Sequence, residues 1–159
     1  MKKIIVFIFC FLLISCSCSL TKEEKIYYQL IKELSLIKEI QITSLPPVTI
    51  FVSLEKVIEE ELRYQVIIDN PQIIMNEVKA IVIHDQKTND IFPSVGIFDE
   101  PLTLIPKEKE LNISQTKGLI LVGYLPYQGL VTDFDGSFKI LIQYQDERGT
   151  SHKIYYYQK

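Results

Sequence analysis

The chain has 159 residues, of which 47% are hydrophobic and 23% are charged. This balance predicts one folded domain and excludes the polar, highly charged composition of disordered chains. The net charge of -3 comes from 20 acidic and 17 basic residues, and the lysines are scattered along the chain. Nucleic acid is therefore excluded as a partner, because a protein that binds it presents a basic stripe to the phosphates.

The first fifteen residues have the layout of an export signal. Lys2 and Lys3 give a positive start, and residues 4–14 form an unbroken run of eleven apolar residues. Such a run fits the apolar region of a signal peptide, and it is shorter than the roughly 20 residues that span a bilayer as a helix. We therefore predict that residues 1–15 are a signal peptide that is removed after export.

A cysteine follows this run in the context Leu13-Ile14-Ser15-Cys16. The segment resembles the lipobox of bacterial lipoproteins, which has leucine three positions before the cysteine and a small residue directly before it. Ile14 is bulkier than the residue usual at its position, and relaxed lipoboxes of this kind resemble those of spirochaete lipoproteins. The resemblance implies that Cys16 receives a diacylglyceryl group on its sulfur and becomes the first residue of the mature protein.

Two alternatives to lipidation at Cys16 stay open. Cys18 could accept the lipid, but Ser15 would then occupy the position of the leucine, so Cys16 is favoured. An ordinary secretory signal followed by a free cysteine is the other alternative. The resemblance implies a lipid-anchored protein of the cell envelope. Ser17 is not the aspartate that retains lipoproteins in the inner membrane of enteric bacteria, so the outer membrane is favoured, and the leaflet stays open.

Residues 21–40 are predicted to form an amphipathic helix. Thr21 and Glu24 have the spacing of a capping box, and Pro46-Pro47 ends the segment. Apolar residues recur at helical spacing, which predicts a stripe that packs on the protein's own sheet or docks a partner. The stripe consists of Ile26, Leu30, Leu34 and Ile37. Residues 16–45 are therefore assigned to a lipid-anchored tether and helix, and residues 46–159 to a strand-rich domain.

The rest of the chain reads as short strands separated by turns. Alternation is clearest in residues 61–68 and 77–84. It predicts one inner face with Leu62, Tyr64, Val66 and Ile68 on the first of these strands, and with Val78, Ala80 and Val82 on the second. Pro101 interrupts residues 97–105 and indicates an edge strand or two short strands, because proline cannot donate to a ladder. Gly149 ends the loop of a predicted hairpin. The other predicted strands are 48–54, 111–114, 118–124, 137–145 and 151–157.

Strands at intervals of about ten residues, with no helices between them, are typical of a sandwich of two antiparallel sheets. We predict a mainly β protein: an immunoglobulin-like β-sandwich of about seven strands, preceded by the amphipathic helix. The likeness to immunoglobulin domains concerns architecture alone, since the cysteine pair and the tryptophan of antibody domains are missing from the sequence.

No motif in the sequence points to catalysis, a metal or a cofactor. The phosphate-binding loop and the serine nucleophile elbow are both missing, and the only two histidines, His84 and His152, are far apart in sequence. Residues 133–136 resemble the start of a calcium loop, but Tyr144 stands where the bidentate glutamate would be needed. We therefore expect a protein that is not an enzyme and predict no catalytic residue, metal ligand or cofactor.

Tyrosines near the end of the chain are the candidate binding surface. Tyr124, Tyr127, Tyr155 and Tyr157 combine large contact area with a polar tip, which is common where proteins bind partners. Cover for an edge strand is the alternative role. The function favoured is that of an anchored binding or structural protein, which would take a host ligand if it is displayed on the cell surface. The alternatives are an accessory subunit of an envelope complex and, less favoured, a hydrolase.

Overall fold

The computed structural model describes residues 20–37, 43–87 and 94–159, so the predicted signal peptide and Cys16 lie outside it. The described chain contains one α-helix, α1 (Lys22–Ser35), and a 3-10 turn at Val131–Asp133. The strands are β1 (Thr49–Ile58), β2 (Glu61–Asp69), β3 (Met75–His84), β4 (Ser94–Leu104), β5 (Gln115–Thr116), β6 (Gly118–Pro126), β7 (Phe138–Gln145) and β8 (Ser151–Gln158). The prediction of a mainly β protein with one N-terminal helix is confirmed.

The strands form two sheets that pack face to face. The three-stranded sheet has the order β1-β2-β6, and the five-stranded sheet has the order β5-β4-β3-β7-β8. Neighbouring strands are antiparallel except β4 and β5, which are parallel. Seven of the strands in the described residues have eight or more residues, and β5 has two.

Alternation along the strands places the core between the sheets. The predicted inner residues of β2 and β3 are buried: each is at most 1% exposed. These residues are Leu62, Tyr64, Val66, Ile68, Val78, Ala80 and Val82. They join buried residues of β7 and β8, such as Ile140 and Ile154, in one apolar cluster. Burial of this cluster is the main stabilising term, since each fully buried aliphatic side chain contributes about 1.5–3 kcal/mol.

Two strand predictions are wrong in part. Residues 111–114 are not a strand: Gln115 N–H donates to the carbonyl of Asn112 at 3.0 Å, which closes a turn and leaves only the two-residue β5. β4 is one continuous strand and not two short pieces, and it is an edge over most of its length, because β5 pairs only with Thr103 and Leu104. Its pairing with β3 shifts register between Ile97 and Leu102, the stretch that contains Pro101. A bulge there accommodates a residue that has no N–H to donate.

The helix forms where its capping box predicts and ends sooner than expected. The Thr21 hydroxyl accepts from the Glu24 N–H, and the Glu24 carboxylate accepts from the Thr21 N–H. The predicted end at Ile40 is wrong, because the helix stops at Ser35 and the N–H groups of Leu36 and Ile37 donate to carbonyls three residues earlier. The buried face of the helix packs on Ile81 and Leu141 of the five-stranded sheet.

The edge of the five-stranded sheet at β8 is closed by a residue from the N-terminal part of the chain. Thr43 N–H donates to the Tyr155 carbonyl at 2.9 Å, and Tyr155 N–H donates to the Thr43 hydroxyl at 3.1 Å. At the start of β8, the predicted hairpin loop is present, with Gly149 in the left-handed region at φ 78°. Thr43 thus occupies backbone groups that an edge strand otherwise offers to another chain.

Candidate binding surface

The outer faces of the two sheets differ in how they are covered. Helix α1 lies on the outer face of the five-stranded sheet and buries Tyr27, Leu30 and Leu34 there. On the three-stranded sheet, no element of the described chain covers the corresponding outer side chains, and we call this surface the open face. Its apolar residues are Phe51 (54% exposed), Ile120 (58%), Val122 (39%), Tyr124 (50%) and the half-buried Ile67.

Strand register arranges the open face in cross-strand rows. Phe51 pairs with Ile67, which pairs in turn with Ile120, so an apolar row crosses all three strands. Val122 lies next to Gln65 in the following row. Directly opposed side chains in such rows contact one another, so the apolar residues form one contiguous surface. Contiguous apolar surface of this kind marks an interaction site more often than scattered exposed residues do.

A charged row borders the apolar part of the open face. Glu55, Arg63 and Tyr124 pair across the three strands, and Arg63 forms an ion pair with Glu55. Hydrogen bonding to Glu55 and the charge of Glu55, with a smaller contribution from Tyr124, raise the pKa of the Arg63 guanidinium. Tyrosine and arginine beside buried apolar groups are the residues that carry most binding energy in protein interfaces. The open face therefore has the composition of a protein-binding surface.

The structure does not bring the four predicted tyrosines together. Tyr124 lies on the open face, whereas Tyr155 and Tyr157 lie on β8 in the other sheet. Tyr127 follows β6, is partly buried against the core, and packs its ring on Phe134 at a centroid distance of 5.3 Å. Of the four tyrosines, Tyr124 thus lies on the same surface as the apolar rows. Its neighbours there, such as Ile120 and Val122, were not predicted as binding residues.

Tyr155 is held in the contact between α1 and the five-stranded sheet. Its hydroxyl donates to Glu33 Oε1 at 2.6 Å, and Lys153 Nζ donates to the same oxygen at 2.7 Å. Burial, together with the hydrogen bond to Glu33 and the negative charge of Glu33, raises the pKa of Tyr155 to about 12. Burial opposes ionisation of Glu33, but the hydrogen bonds from Lys153 and Tyr155 outweigh it and lower the pKa of Glu33.

One cluster contains a serine, a histidine and an aspartate. Ser137, His84 and Asp85 line a cavity of about 170 Å³ beside α1. The Ser137 hydroxyl donates to Asp85 Oδ2 at 2.7 Å, and the Ser137 N–H donates to Asp85 Oδ1 at 2.9 Å. Burial raises the pKa of Asp85, but the hydrogen bonds from Ser137 outweigh it and lower that pKa overall. In a hydrolytic triad the serine donates to the histidine, so this order is not that of a nucleophile and its base.

Residues 20–37, 43–87 and 94–159 contain neither a cluster of metal ligands nor a helix that could span a membrane. Within these ranges no group of three or more histidine, cysteine, aspartate or glutamate side chains could hold a metal ion. A shallow cavity of about 300 Å³ lies beside the first turn of α1 and has mixed charges on its walls. None of the helical residues described forms a segment long and apolar enough to cross a bilayer.

His152 and Asp146 organise the hairpin between β7 and β8. The imidazole Nε2 lies 3.0 Å from Asp146 Oδ2, and the His152 ring stacks on Tyr144. Asp146 Oδ1 accepts from the backbone N–H groups of Arg148 and Thr150, each at 2.9 Å. These hydrogen bonds lower the pKa of Asp146 to about 2, and the hydrogen bond with His152 has the largest effect.

Replacement of Asp146 by asparagine is expected to weaken the acid dependence of stability. Because the folded pKa of about 2 lies below the ordinary value of 3.8, the carboxylate stabilises the fold above pH 4 and loses this contribution as the pH falls from about 4 to 2. The difference in melting temperature between wild type and Asp146→Asn should shrink across that interval, measured by circular dichroism. Glu147→Gln, in the same turn, is the control and should leave the profile unchanged. A constant difference from pH 6 to pH 2 would contradict the assignment.

The chain matches no protein-family model and no curated protein.

Proposed function

We propose that this chain is a lipid-anchored, non-enzymatic binding protein of the bacterial envelope that holds a protein partner on its open face. One observation carries the binding role. Both sheets carry apolar side chains on their outer faces, but α1 covers those of one sheet, while Phe51, Ile120, Val122 and Tyr124 remain exposed on the other. Exposure of such a surface is costly in water unless another molecule covers it.

The anchor is supported by the sequence in front of the helix. The lipobox-like segment that ends in Cys16 lies six residues before Lys22, the first residue of α1. A fully extended chain of six residues spans about 21 Å, so a lipid on Cys16 would hold the folded domain next to the membrane. Two or three acyl chains give stable attachment, because each buried methylene contributes about 0.8 kcal/mol.

The order of the strands supports an immunoglobulin-like relation. Without the two-residue β5, the long strands in chain order form sheets of the first, second and fifth strands and of the fourth, third, sixth and seventh. The constant-type immunoglobulin sandwich has the orders A-B-E-D and C-F-G. The present order differs from it in one respect, since the fourth strand pairs with the third instead of the fifth. Domains of this architecture commonly bind proteins through exposed sheet faces or loops, which fits the role proposed for the open face.

A crosslinking experiment in intact cells tests the open face. A photoreactive amino acid at Tyr124 should give one discrete adduct with a protein partner, and Val122→Glu should abolish that adduct, because an unpaired carboxylate would be buried in the interface. Gln29→Glu, on the exposed side of α1, is the matched control and should leave the adduct intact. Both variants should keep the wild-type melting temperature. An adduct that survives Val122→Glu would rule out the open face as the binding surface.

Protease treatment of intact cells separates the two kinds of partner. Digestion of this chain while a periplasmic control protein survives would favour a host ligand, because the open face would then be accessible from outside the cell. Survival until lysis would favour a subunit of an envelope complex. In that case the helix is a poor docking element, since its apolar residues Leu30 and Leu34 are already buried against the five-stranded sheet.

A further inference from the structure

The outer strands of the two sheets differ in how their edges are protected. At β8, Thr43 occupies backbone groups of the edge. Beside β1, Gln158 Nε2 lies 3.5 Å from the Val52 carbonyl. β4 contains Pro101 and a bulge, both of which discourage pairing. The remaining edge is that of β6, which pairs with β2 on one side and with no described strand on the other.

The hydrogen bonds of β6 show which of its backbone groups face this edge. Tyr127 N–H donates to the Glu60 carbonyl at 2.9 Å, and the register of β2 and β6 places these two residues opposite each other. In an antiparallel ladder, hydrogen-bonded pairs alternate with pairs that are not hydrogen-bonded. The odd-numbered residues of β6 therefore bond to β2. The N–H and carbonyl groups of Ile120, Val122 and Tyr124 point away from β2, toward the edge.

Both ends of β6 agree with this assignment. Pro126 lies opposite Glu61 and has no N–H, so it suits a position that does not bond to β2. At the other end, the Gly118 carbonyl accepts from the Thr116 hydroxyl at 2.9 Å, which fits a carbonyl turned toward the edge. Between these ends, the backbone groups of the three even-numbered residues have no hydrogen-bond partner in the part of the chain that the structure describes.

The sequence of β6 does not protect its edge. Natural proteins protect edge strands by short length, by charged side chains, by internal prolines or by bulges. β6 has nine residues and pairs with β2 without a register shift. It contains no charged residue, and its proline stands at the last position. A long, regular and uncharged edge is a template for pairing with another strand.

The space beside β6 suits a single extended segment better than a second folded domain. β4 lies close to β6 on this side of the sandwich. A second copy that paired its own β6 here would also bring its own β4 toward this one. An extended segment needs only the width of one strand, about 4.8 Å.

We propose that the partner held on the open face adds an extended segment of its own chain to the edge of β6. The inference rests on the proposed function and names the part of the partner that is recognised. Main-chain bonds to Ile120, Val122 and Tyr124 give affinity, and alternate side chains of the segment lie on the open face beside those of β6. Cross-strand neighbours of such residues are favoured when they are β-branched or aromatic. The segment is therefore expected to carry residues of this kind at every second position.

Amide exchange in the purified, lipidated full chain tests whether the edge is free. Without a partner, the N–H groups of Ile120, Val122 and Tyr124 should exchange at least about tenfold faster than those of Leu121 and Gly123, which bond to β2. Residue-resolved NMR in detergent measures these rates. Protection of the even-numbered amides at every protein concentration would show that the chain closes this edge itself. Protection that is lost on dilution would show that a second copy occupies it. Either result would overturn the proposal.

Proline at the edge separates strand addition from contact with the open face alone. With a photoreactive amino acid at Phe51, Val122→Pro should lower the yield of the partner adduct at least about tenfold, because it removes an N–H and places a ring in the path of the segment. Val122→Ala keeps the N–H and should keep the adduct. Lys56→Pro, at the outer edge of β1, is the second control and should also keep it.

These prolines are compatible with the fold, because neither N–H takes part in the ladder with β2. Circular dichroism should show a cooperative thermal transition for each variant. If Val122→Pro does not fold, Ile120→Pro at the same edge takes its place and should lower the adduct in the same way.

The outcomes separate this inference from the proposed function. Loss of the adduct in Val122→Pro, with retention in Val122→Ala and Lys56→Pro, supports strand addition. Retention in Val122→Pro, with loss in Val122→Glu, would overturn strand addition and leave binding on the open face in place. Absence of an adduct in the parent chain would overturn the proposed function, and strand addition with it.

Discussion

Replacement of Cys16 by alanine is expected to remove the protein's acyl label and its attachment to membranes. The thiol is the only group of this residue that can accept a diacylglyceryl chain, so the variant should incorporate no labelled palmitate and should leave the detergent phase in a partition assay. The effect is large because one acyl chain gives a binding constant of only about 10⁴ M⁻¹, whereas two or three hold a protein firmly. Metabolic labelling followed by phase partition measures both properties.

Cys18 provides the matched control for this experiment. Cys18→Ala should keep the palmitate label and the membrane attachment, because the lipobox-like spacing from Leu13 fits Cys16 and not Cys18. If Cys16→Ala remains labelled and Cys18→Ala does not, the acceptor is Cys18. If neither variant loses the label, or if the wild type carries none, the proposed lipidation is wrong.

Gly123→Ala is expected to destabilise the domain by about 1–3 kcal/mol, the usual cost of an overpacked core. Gly123 pairs with Tyr64 across β2 and β6, and a methyl group at position 123 would overlap the tyrosine ring. The ring cannot move away easily, since it is 1% exposed and packs on Phe138 at a centroid distance of 5.2 Å. Thermal unfolding followed by circular dichroism should show a decrease of about 2–4 °C for each kcal/mol.

A double-mutant cycle shows whether the clash is the cause. Tyr64→Leu will be destabilising by itself because it removes a buried ring, but Gly123→Ala should cost little more in that background. Val122→Ala, at the neighbouring outward-facing position, should change the free energy of unfolding by less than about 0.5 kcal/mol. Additive effects of Gly123→Ala and Tyr64→Leu would show that the methyl group meets no obstacle at Tyr64.

The sequence predicts the fold best where strands are half-buried and caps are local. The first half of β2 alternates between apolar and polar residues, so the inward direction of Leu62 and Tyr64 follows directly from the pattern. The capping box at Thr21 depends on residues three positions apart and is equally readable. The end of α1 is harder to predict, because residues 36 and 37 are apolar and keep the helical spacing. Lys139, which donates a hydrogen bond to the Ile37 carbonyl, is 102 positions away in sequence.

The open face could not be predicted for a different reason. β6 is apolar on both sides, with Leu121 and Leu125 facing the core and Ile120 and Val122 facing solvent. A strand of this kind looks like one buried on both sides, so its pattern indicates neither which face is covered nor by what. Tyr124 was singled out because of its residue type, whereas Tyr155 has the same type and lies under α1. Which outer face receives the helix is decided by packing between distant segments.

The contact between the start and the end of the chain also limits when the protein can fold. α1 and Thr43 pack on β7 and β8, and Glu33 meets Tyr155 across a separation of 122 residues. Because a polypeptide is synthesised from its N-terminus, this packing cannot be completed until nearly the whole chain has been made. Such long-range contacts also form slowly. A chain exported through a narrow channel must stay unfolded during passage. Until β8 is available the helix has no docking surface, so the order in which the chain is made keeps the sandwich incomplete until nearly the last residue.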